Sequence, residues 1–219
     1  SDRQLIPTEW VRVAMARAPF YTYDDPLILG IDVARGGADN NVIVARRGDD
    51  AKTISALTIP GTETRDSMRL VARIVTHVAD LKPDAVFIDA TGVGGPVADR
   101  LRQLGVNAID INFAGKADNE RRYANIRAQM WWKLREAIKN TLALPDHNTL
   151  EQELTTPEYS LDSKDRILLE SKETMKKRGL ASPDYADALA LTYAMPVLKL
   201  GIKTCKTSYL RKHDTLKDL

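Results

Sequence analysis

The chain has 219 residues, with 32 Lys and Arg against 30 Asp and Glu, so the formal net charge is only +2. This length supports one sizeable core, and 43% hydrophobic and 28% charged residues are typical of a globular protein. A global basic field is excluded, and the lone Cys205 excludes an internal disulfide, which suits a reducing cytosol. No apolar run reaches the roughly 18 residues of a membrane-spanning helix, so no membrane partner is predicted.

Three parts are predicted along the chain. They are an N-terminal arm over residues 1–26, an α/β domain over residues 27–200 and a basic C-terminal tail over residues 201–219. Within the arm, the apolar pattern predicts a short helix over residues 5–18 with Thr8 as its N-cap. The arm either packs on the domain or is the remnant of a link to a preceding domain.

The first half of the domain alternates between extended and helical patterns. Strands are predicted at about 27–33, 41–47, 52–59, 84–89 and 106–111, with helices over about 64–80 and 96–104. The first three strands are separated by short turns that are typical of antiparallel hairpins. The order β-β-β-α-β-α-β therefore predicts a mixed sheet, in which three antiparallel strands are joined to parallel strands through helical crossovers.

Helical patterns dominate the second half of the domain. Helices are predicted over about 123–140 and 148–154, followed by a hairpin around residues 159–169 and a basic segment at 172–178. The last helix is expected to begin at Ser182 as N-cap, with Pro183 in its first position, and to run to about residue 195.

Two of the predicted strands end in a carboxylate that precedes a glycine turn. Asp32 follows one aliphatic strand and Asp89 follows another. Because ligands gather at the carboxyl ends of parallel strands, we expect both carboxylates at one edge of the sheet. Two like charges this close repel each other, and a divalent cation relieves the repulsion. The alternative is that each aspartate only caps the turn that follows it.

A third carboxylate lies on the last helix. Helical spacing places Asp187 on a face of small apolar residues, where an unpaired carboxylate is energetically costly. Asp184, one turn earlier, is explained by the helix dipole alone, although it is a candidate fourth ligand. Asp32, Asp89 and Asp187 together predict an oxygen-rich site for Mg²⁺ or Mn²⁺, whereas the three scattered histidines do not indicate zinc.

Two such ions about 4 Å apart activate a water molecule and stabilise the leaving oxygen of a phosphodiester, which is nuclease chemistry. This chemistry needs a basic surface beside the carboxylates. The candidate DNA-binding residues are Arg35, Lys116, Arg121, Arg122, Lys172, Lys176, Lys177 and Arg178. The cluster at 172–178 is favoured because it precedes the helix of Asp187, and Lys172 is expected to reach the metal site or the scissile phosphate. The alternative for each residue is a solvated surface charge.

Three segments of the sequence carry a family resemblance: Gly30-Ile31-Asp32, Phe87–Gly94 and Ser182–Leu189. Over residues 27–196 the chain resembles the ribonuclease H-like nuclease domain of tailed-bacteriophage terminase large subunits. The resemblance implies a metal-dependent endonuclease that cuts double-stranded viral DNA during genome packaging. Its implied partners are a portal protein, a terminase small subunit and a cognate ATPase domain, in the cytoplasm of a bacterial host. The sequence contains no P-loop, so ATPase activity is not predicted.

Three other interpretations remain open. Another ribonuclease H-like nuclease, such as a Holliday-junction resolvase, would share the same aspartates but cut branched DNA. Half of an actin-like ATPase would use a similar glycine turn for phosphates, although the sequence contains no second copy of it. A non-catalytic docking module of the packaging machine would not depend on Asp32.

Overall fold

A computed structural model of the chain describes residues 3–34, 39–64 and 66–200. Its strands are β1 (Leu27–Asp32), β2 (Asn40–Arg47), β3 (Leu57–Pro60), β4 (Ala85–Asp89), β5 (Ala108–Ile111), β6 (Tyr159–Leu161) and β7 (Ile167–Leu169). Its helices are α1 (Thr8–Ala16), α2 (Ser67–Leu81), α3 (Gly94–Gln103), α4 (Ile126–Asn140), α5 (Asn148–Thr155), α6 (Lys172–Lys177) and α7 (Asp184–Leu191), with a 3₁₀ helix at Gly61–Thr64.

Five strands form one mixed sheet in the order β3-β2-β1-β4-β5. Strand β2 pairs antiparallel with both β1 and β3, whereas β4 pairs parallel with both β1 and β5. The predicted arrangement of three antiparallel strands joined to parallel strands is confirmed. The predicted hairpin is also confirmed, since β6 and β7 pair antiparallel in a separate small sheet.

The hydrophobic core lies on both faces of the large sheet. On one face, α1, α4, α5 and α7 pack around side chains such as Ile28, Trp131 and Leu189. On the other face, α2 and α3 cover Leu29 and Ile31. Because β1 is central and covered on both faces, all six of its residues are buried, as its unbroken aliphatic sequence predicts.

A glycine in β1 allows α7 to lie directly on the strand. A Cβ on Gly30 would come 1.9 Å from the backbone oxygen of Ala188, so no other residue fits without moving the helix. A second glycine acts in the same way at β4, because a Cβ on Gly94 would lie 1.7 Å from the backbone oxygen of Asp89. Because Gly30 and Gly94 have no Cβ, α7 and the start of α3 can lie directly against the strand ends that carry Asp32 and Asp89.

The N-terminal arm contributes to the main core. Leu5, Ile6, Val11 and Ala14 are buried in the same cluster as the side chains of α4 and α5. Helix α1 begins at Thr8, and Pro7 occupies the N-cap without a side-chain hydrogen bond, so the prediction of Thr8 as N-cap was wrong. The C-terminal tail, residues 201–219, lies outside the described residues.

Two further predictions differ from the structure. The third strand is only β3, because the Asp50 carboxylate accepts hydrogen bonds from the backbone N–H groups of Lys52 and Thr53 and folds this segment into a turn. Ser182 is not an N-cap, since α7 begins two residues later. Instead, Glu153 of α5 accepts a hydrogen bond of 2.9 Å from the Ala186 backbone N–H. Among the described residues, no helix has the length and apolar character needed to cross a membrane.

Candidate active site

Asp32 and Asp89 end two neighbouring parallel strands. Ile31 of β1 is in register with Ile88 of β4, so the two aspartates emerge from the same edge of the sheet. Both are largely buried, with 2% and 7% of their surface exposed. Both line one cleft with a volume of about 740 Å³, so the structure brings together the two predicted strand-end carboxylates.

Helix α7 brings two more carboxylates to this edge. Asp184 lines the cleft, and its Oδ2 accepts a hydrogen bond of 3.0 Å from the backbone N–H of Asn40 in β2. Asp187 lies one turn further along and is fully buried. The helix reaches this position because it packs on β1 and β2, as Gly30 permits.

Two side chains of α4 anchor Asp187. Its Oδ1 accepts hydrogen bonds from the Trp131 indole at 2.7 Å and from Nε of Arg127 at 3.0 Å. Its Oδ2 accepts from Nη2 of Arg127 at 3.2 Å. Arg127 itself is 7% exposed and donates a further bond of 2.8 Å to the backbone oxygen of Glu170. These hydrogen bonds from α4 therefore fix the orientation of the Asp187 carboxylate.

The ammonium group of Lys172 lies where three of the carboxylates converge. Its Nζ is 2.8 Å from Oδ2 of Asp32, 3.2 Å from Oδ2 of Asp187 and 3.7 Å from Oδ1 of Asp184. Lys172 is the first residue of α6, and Ser171 caps that helix by accepting a hydrogen bond from Thr174. Carboxylate oxygens from β1 and α7 therefore surround one cation, the ammonium group of Lys172.

Burial sets the protonation of the cleft carboxylates. It raises the pKa of Asp32 to about 8, although the neighbouring Lys172 opposes the shift. It also raises the pKa values of Asp89 and Asp184. Burial disfavours these negative charges, and the neighbouring Lys172 partly offsets that effect.

The pKa values of Asp187 and Lys172 shift in the direction that favours the charged form of each side chain. Burial alone would raise the pKa of Asp187, but Arg127 and then Lys172 outweigh it and the pKa is lowered. Burial alone would lower the pKa of Lys172, but Asp187 and Asp32 outweigh it and the pKa is raised. Asp187 and Lys172 therefore stabilise each other in their charged forms, and Arg127 also stabilises the charged form of Asp187.

The chemistry of these donors fits a hard divalent cation. Every donor at the convergence point is a carboxylate oxygen, and the hydroxyl-bearing side chains of Thr91 and Ser182 also line the cleft. As the side chains stand, no group of three or more His, Cys, Asp or Glu residues in the described ranges is spaced to hold a metal ion. The Lys172 ammonium takes the central place instead.

Only part of the predicted basic surface lies at the cleft. Lys172 and Lys176 line it, and Lys176 forms an ion pair of 2.8 Å with Asp39. Arg178 pairs with Glu170 at 2.6 Å, and Lys177 is exposed without lining the cleft.

The other predicted basic residues lie elsewhere. Lys116, Arg121 and Arg122 precede α4 and do not line the cleft. Lys116 lies 3.7 Å from Glu120, and the guanidinium of Arg122 lies 5.1 Å from the centre of the Trp132 ring. Arg35 falls outside the described residues.

The sequence analysis missed three residues of the site: Arg127 and Trp131, which bind Asp187, and Arg3. Arg127 lies on the apolar face of α4, four residues before Trp131, and a cation on a buried helix face is a signal for a buried acidic partner. Arg3, from the N-terminal arm, lines the same cleft as Asp32, and no local pattern indicated this placement.

Comparisons with known proteins identify the fold. No protein-family model matches the sequence, and no curated protein is similar enough in sequence to match it. Among solved structures, a variant of the gp2 large terminase subunit of bacteriophage Sf6 with calcium has a TM-score of 0.72 and 18% identity, covering 88% of this chain and 100% of that chain.

Two other phage nucleases are also similar. The large terminase nuclease of thermophilic phage G20c with bound magnesium has a TM-score of 0.63 and 18% identity, over 89% of this chain and 98% of that chain. The large terminase nuclease domain of Thermus phage P74-26 has a TM-score of 0.55 and 17% identity, over 80% and 82%. The predicted ribonuclease H-like α/β fold is confirmed.

Proposed function

We propose that this chain is a metal-dependent endonuclease that cuts double-stranded viral DNA during genome packaging, as the nuclease domain of a terminase large subunit. One observation carries the proposal. Asp32, Asp184 and Asp187 converge on a single cation at the carboxyl end of β1, within a fold shared with phage terminase nucleases. Asp89, at the adjacent strand end, completes the carboxylate set.

The proposed cofactor is Mg²⁺ or Mn²⁺, held by Asp32, Asp89 and Asp187 with Asp184 as a fourth ligand. Two such ions, when bound, lower the pKa of a water molecule and stabilise the leaving oxygen of the phosphodiester. The protein's contribution is geometric. Arg127 binds both oxygens of Asp187 and Trp131 binds Oδ1, and Oδ2 also faces the point in the cleft that Lys172 occupies. Relatives with this fold were solved with magnesium, manganese, cobalt and calcium.

Lys172 has a separate role in this proposal. In the metal-free protein its ammonium group neutralises Asp32 and Asp187. A divalent cation held by the same carboxylates would repel that ammonium, and the Lys172 side chain would then be available to a DNA phosphate. A lysine-to-alanine variant of the Sf6 domain was solved with manganese, which supports testing the same kind of substitution here.

The proposed substrate is the DNA backbone rather than a base sequence. The cleft offers Lys172 and Lys176 for phosphates, and such contacts give weak sequence preference and a strong dependence on salt. As a terminase nuclease, the chain would act with a portal protein, a terminase small subunit and a cognate ATPase domain, in the cytoplasm of a bacterial host.

Plasmid digestion tests the proposal. The wild-type protein should cut supercoiled plasmid with Mg²⁺ or Mn²⁺ and stop when EDTA is added, whereas Asp32→Asn should reduce the rate roughly a thousandfold. Asp99→Asn is the matched control, because that carboxylate is 69% exposed on α3 and pairs with Arg102 outside the cleft. Equal rates for all three proteins would contradict the proposal. A clear preference for four-way junctions over linear duplex would instead favour a resolvase.

A further inference from the structure

The N-terminal arm forms part of the wall of the catalytic cleft. Gln4 forms an antiparallel bridge with Glu158, next to β6. The backbone N–H of Tyr159 donates to the carbonyl oxygen of Arg3 at 2.9 Å, and the N–H of Leu5 donates to Pro157 at 3.3 Å. Residues 3–5 therefore extend the β6–β7 hairpin as a short third strand at the edge of the cleft.

The same segment is fixed from its other side. Leu5 and Ile6 are 2% and 0% exposed in the main core. The Nε of Arg135 donates to the carbonyl oxygen of Leu5 at 3.0 Å, and the side-chain amide of Gln4 donates to the backbone carbonyl oxygen of Thr155 at 2.8 Å. Because the backbone is held on both sides, a ligand that contacts Arg3 does not have to order a free chain.

The side chain of Arg3 is exposed and lines the cleft. The acidic floor of this cleft carries Asp32, Asp89 and Asp184. The rest of its lining includes Lys172 and Lys176 of α6 as well as the carboxylates of Asp39, Glu158, Glu170 and Glu173. An arginine from the arm adds a cation that comes from a different segment. A DNA strand with one phosphate at the acidic floor must place neighbouring phosphates along the walls, where a guanidinium binds them in a bidentate manner.

We propose that Arg3 binds a backbone phosphate that flanks the scissile one, so that the arm belongs to the DNA-binding surface. This inference rests on the proposed nuclease function. It assigns to the segment before α1 a direct contact with substrate, in addition to its packing on the domain.

Two variants that each remove one positive charge test the inference. Arg3→Gln removes the proposed contact. Arg12→Gln is the matched control, because Arg12 lies on α1, pairs with Glu151 at 2.9 Å and does not line the cleft. Binding of a short fluorescent duplex is measured by anisotropy in EDTA, where cleavage is absent, over a series of salt concentrations.

Arg3→Gln should weaken duplex binding roughly fivefold and reduce the slope of log affinity against log salt by about 1. Arg3→Lys should restore the slope, and Arg12→Gln should leave affinity and slope unchanged. With Mg²⁺, Arg3→Gln should raise KM and leave kcat unchanged, because a flanking phosphate is held equally in the ground and transition states.

The two possible failures are distinguishable. If the wild-type protein binds and cuts duplex while Arg3→Gln matches Arg12→Gln in affinity, salt slope and KM, the role of Arg3 is overturned and the proposed function stands. If the wild-type protein neither binds nor cuts duplex DNA, the nuclease proposal fails and this inference fails with it.

Discussion

Asp184 and Asp187 lie one turn apart on α7 and both face the ammonium of Lys172, yet their surroundings differ. Asp184 lines the cleft and accepts one hydrogen bond from the backbone of β2. Asp187 is fully buried and is also held by Arg127 and Trp131. Helical spacing gives two carboxylates the same direction, but their partners decide whether a substitution affects the fold or only the chemistry.

The largest expected effect is on stability. Asp187→Ala leaves the buried guanidinium of Arg127 and the indole N–H of Trp131 without their acceptor. Removing one partner of a buried ion pair lowers the free energy of unfolding by about 3–5 kcal/mol. Urea denaturation measures this loss, and a change below about 1 kcal/mol would mean that the anchor is not structural.

Asp184→Asn should separate activity from folding. The asparagine oxygen still accepts from the Asn40 backbone, so the free energy of unfolding should change by less than about 1 kcal/mol. Plasmid cleavage should fall roughly a hundredfold, because one charged ligand is lost. Unchanged cleavage would remove Asp184 from the ligand set and leave Asp187 as the only ligand on α7.

Lys172→Met tests which group competes with the metal. The substitution removes the cation that is shared by Asp32 and Asp187, so a divalent ion binds without having to displace it. Saturating Mn²⁺ should raise the Tm of the variant more than that of the wild-type protein, which corresponds to roughly tenfold tighter binding. A smaller rise would show that Lys172 assists metal binding instead of opposing it.

A pH-dependent effect concerns Glu153, which supports α7 from the side of α5. Burial raises its pKa from 4.5 to about 7, although the Ala186 backbone N–H opposes the shift. The native state therefore binds this proton more tightly than the unfolded state does, and stability is lost as the pH rises from 4.5 through 7.

Glu153→Gln removes that dependence. Relative to the wild-type protein, the variant should gain up to about 3 kcal/mol in unfolding free energy between acidic pH and pH above 7. Thermal melts of both proteins in matched buffers measure the difference. If the difference in stability between the two proteins does not change with pH, Glu153 is not the group that titrates in this range.

The sequence predicted what depends on local patterns. Strand-end positions placed Asp32 and Asp89 at one edge, and the alternation of elements predicted the mixed sheet. The position of Lys172 beside the last helix also led to the expectation that it reaches the metal site. The contacts of Arg127 and Arg3 could not be read in this way, because each joins segments that meet only after packing. Arg127 and Asp187 are 60 positions apart, and they meet because Gly30 lets α7 lie on β1.

The sequence also led to wrong predictions for the third strand and for two helix N-caps. Asp50 favours a turn over an extended chain by accepting two backbone hydrogen bonds, which shortened the third strand. Pro7 and Pro183 occupy the N-caps of α1 and α7, where hydroxyl residues were expected. In both helices the tertiary contacts of the first turn outweigh the local capping preference.

The central claim is that Asp32 and its neighbours form a site for a divalent cation, and calorimetric titration with Mn²⁺ tests it most directly. The account predicts that wild-type protein and Asp99→Asn bind Mn²⁺ equally, and that Asp32→Asn binds at least roughly tenfold more weakly. Because burial raises the pKa of Asp32 to about 8, the wild-type affinity should also increase as the pH approaches 8. Equal binding by wild-type protein and Asp32→Asn would contradict the account.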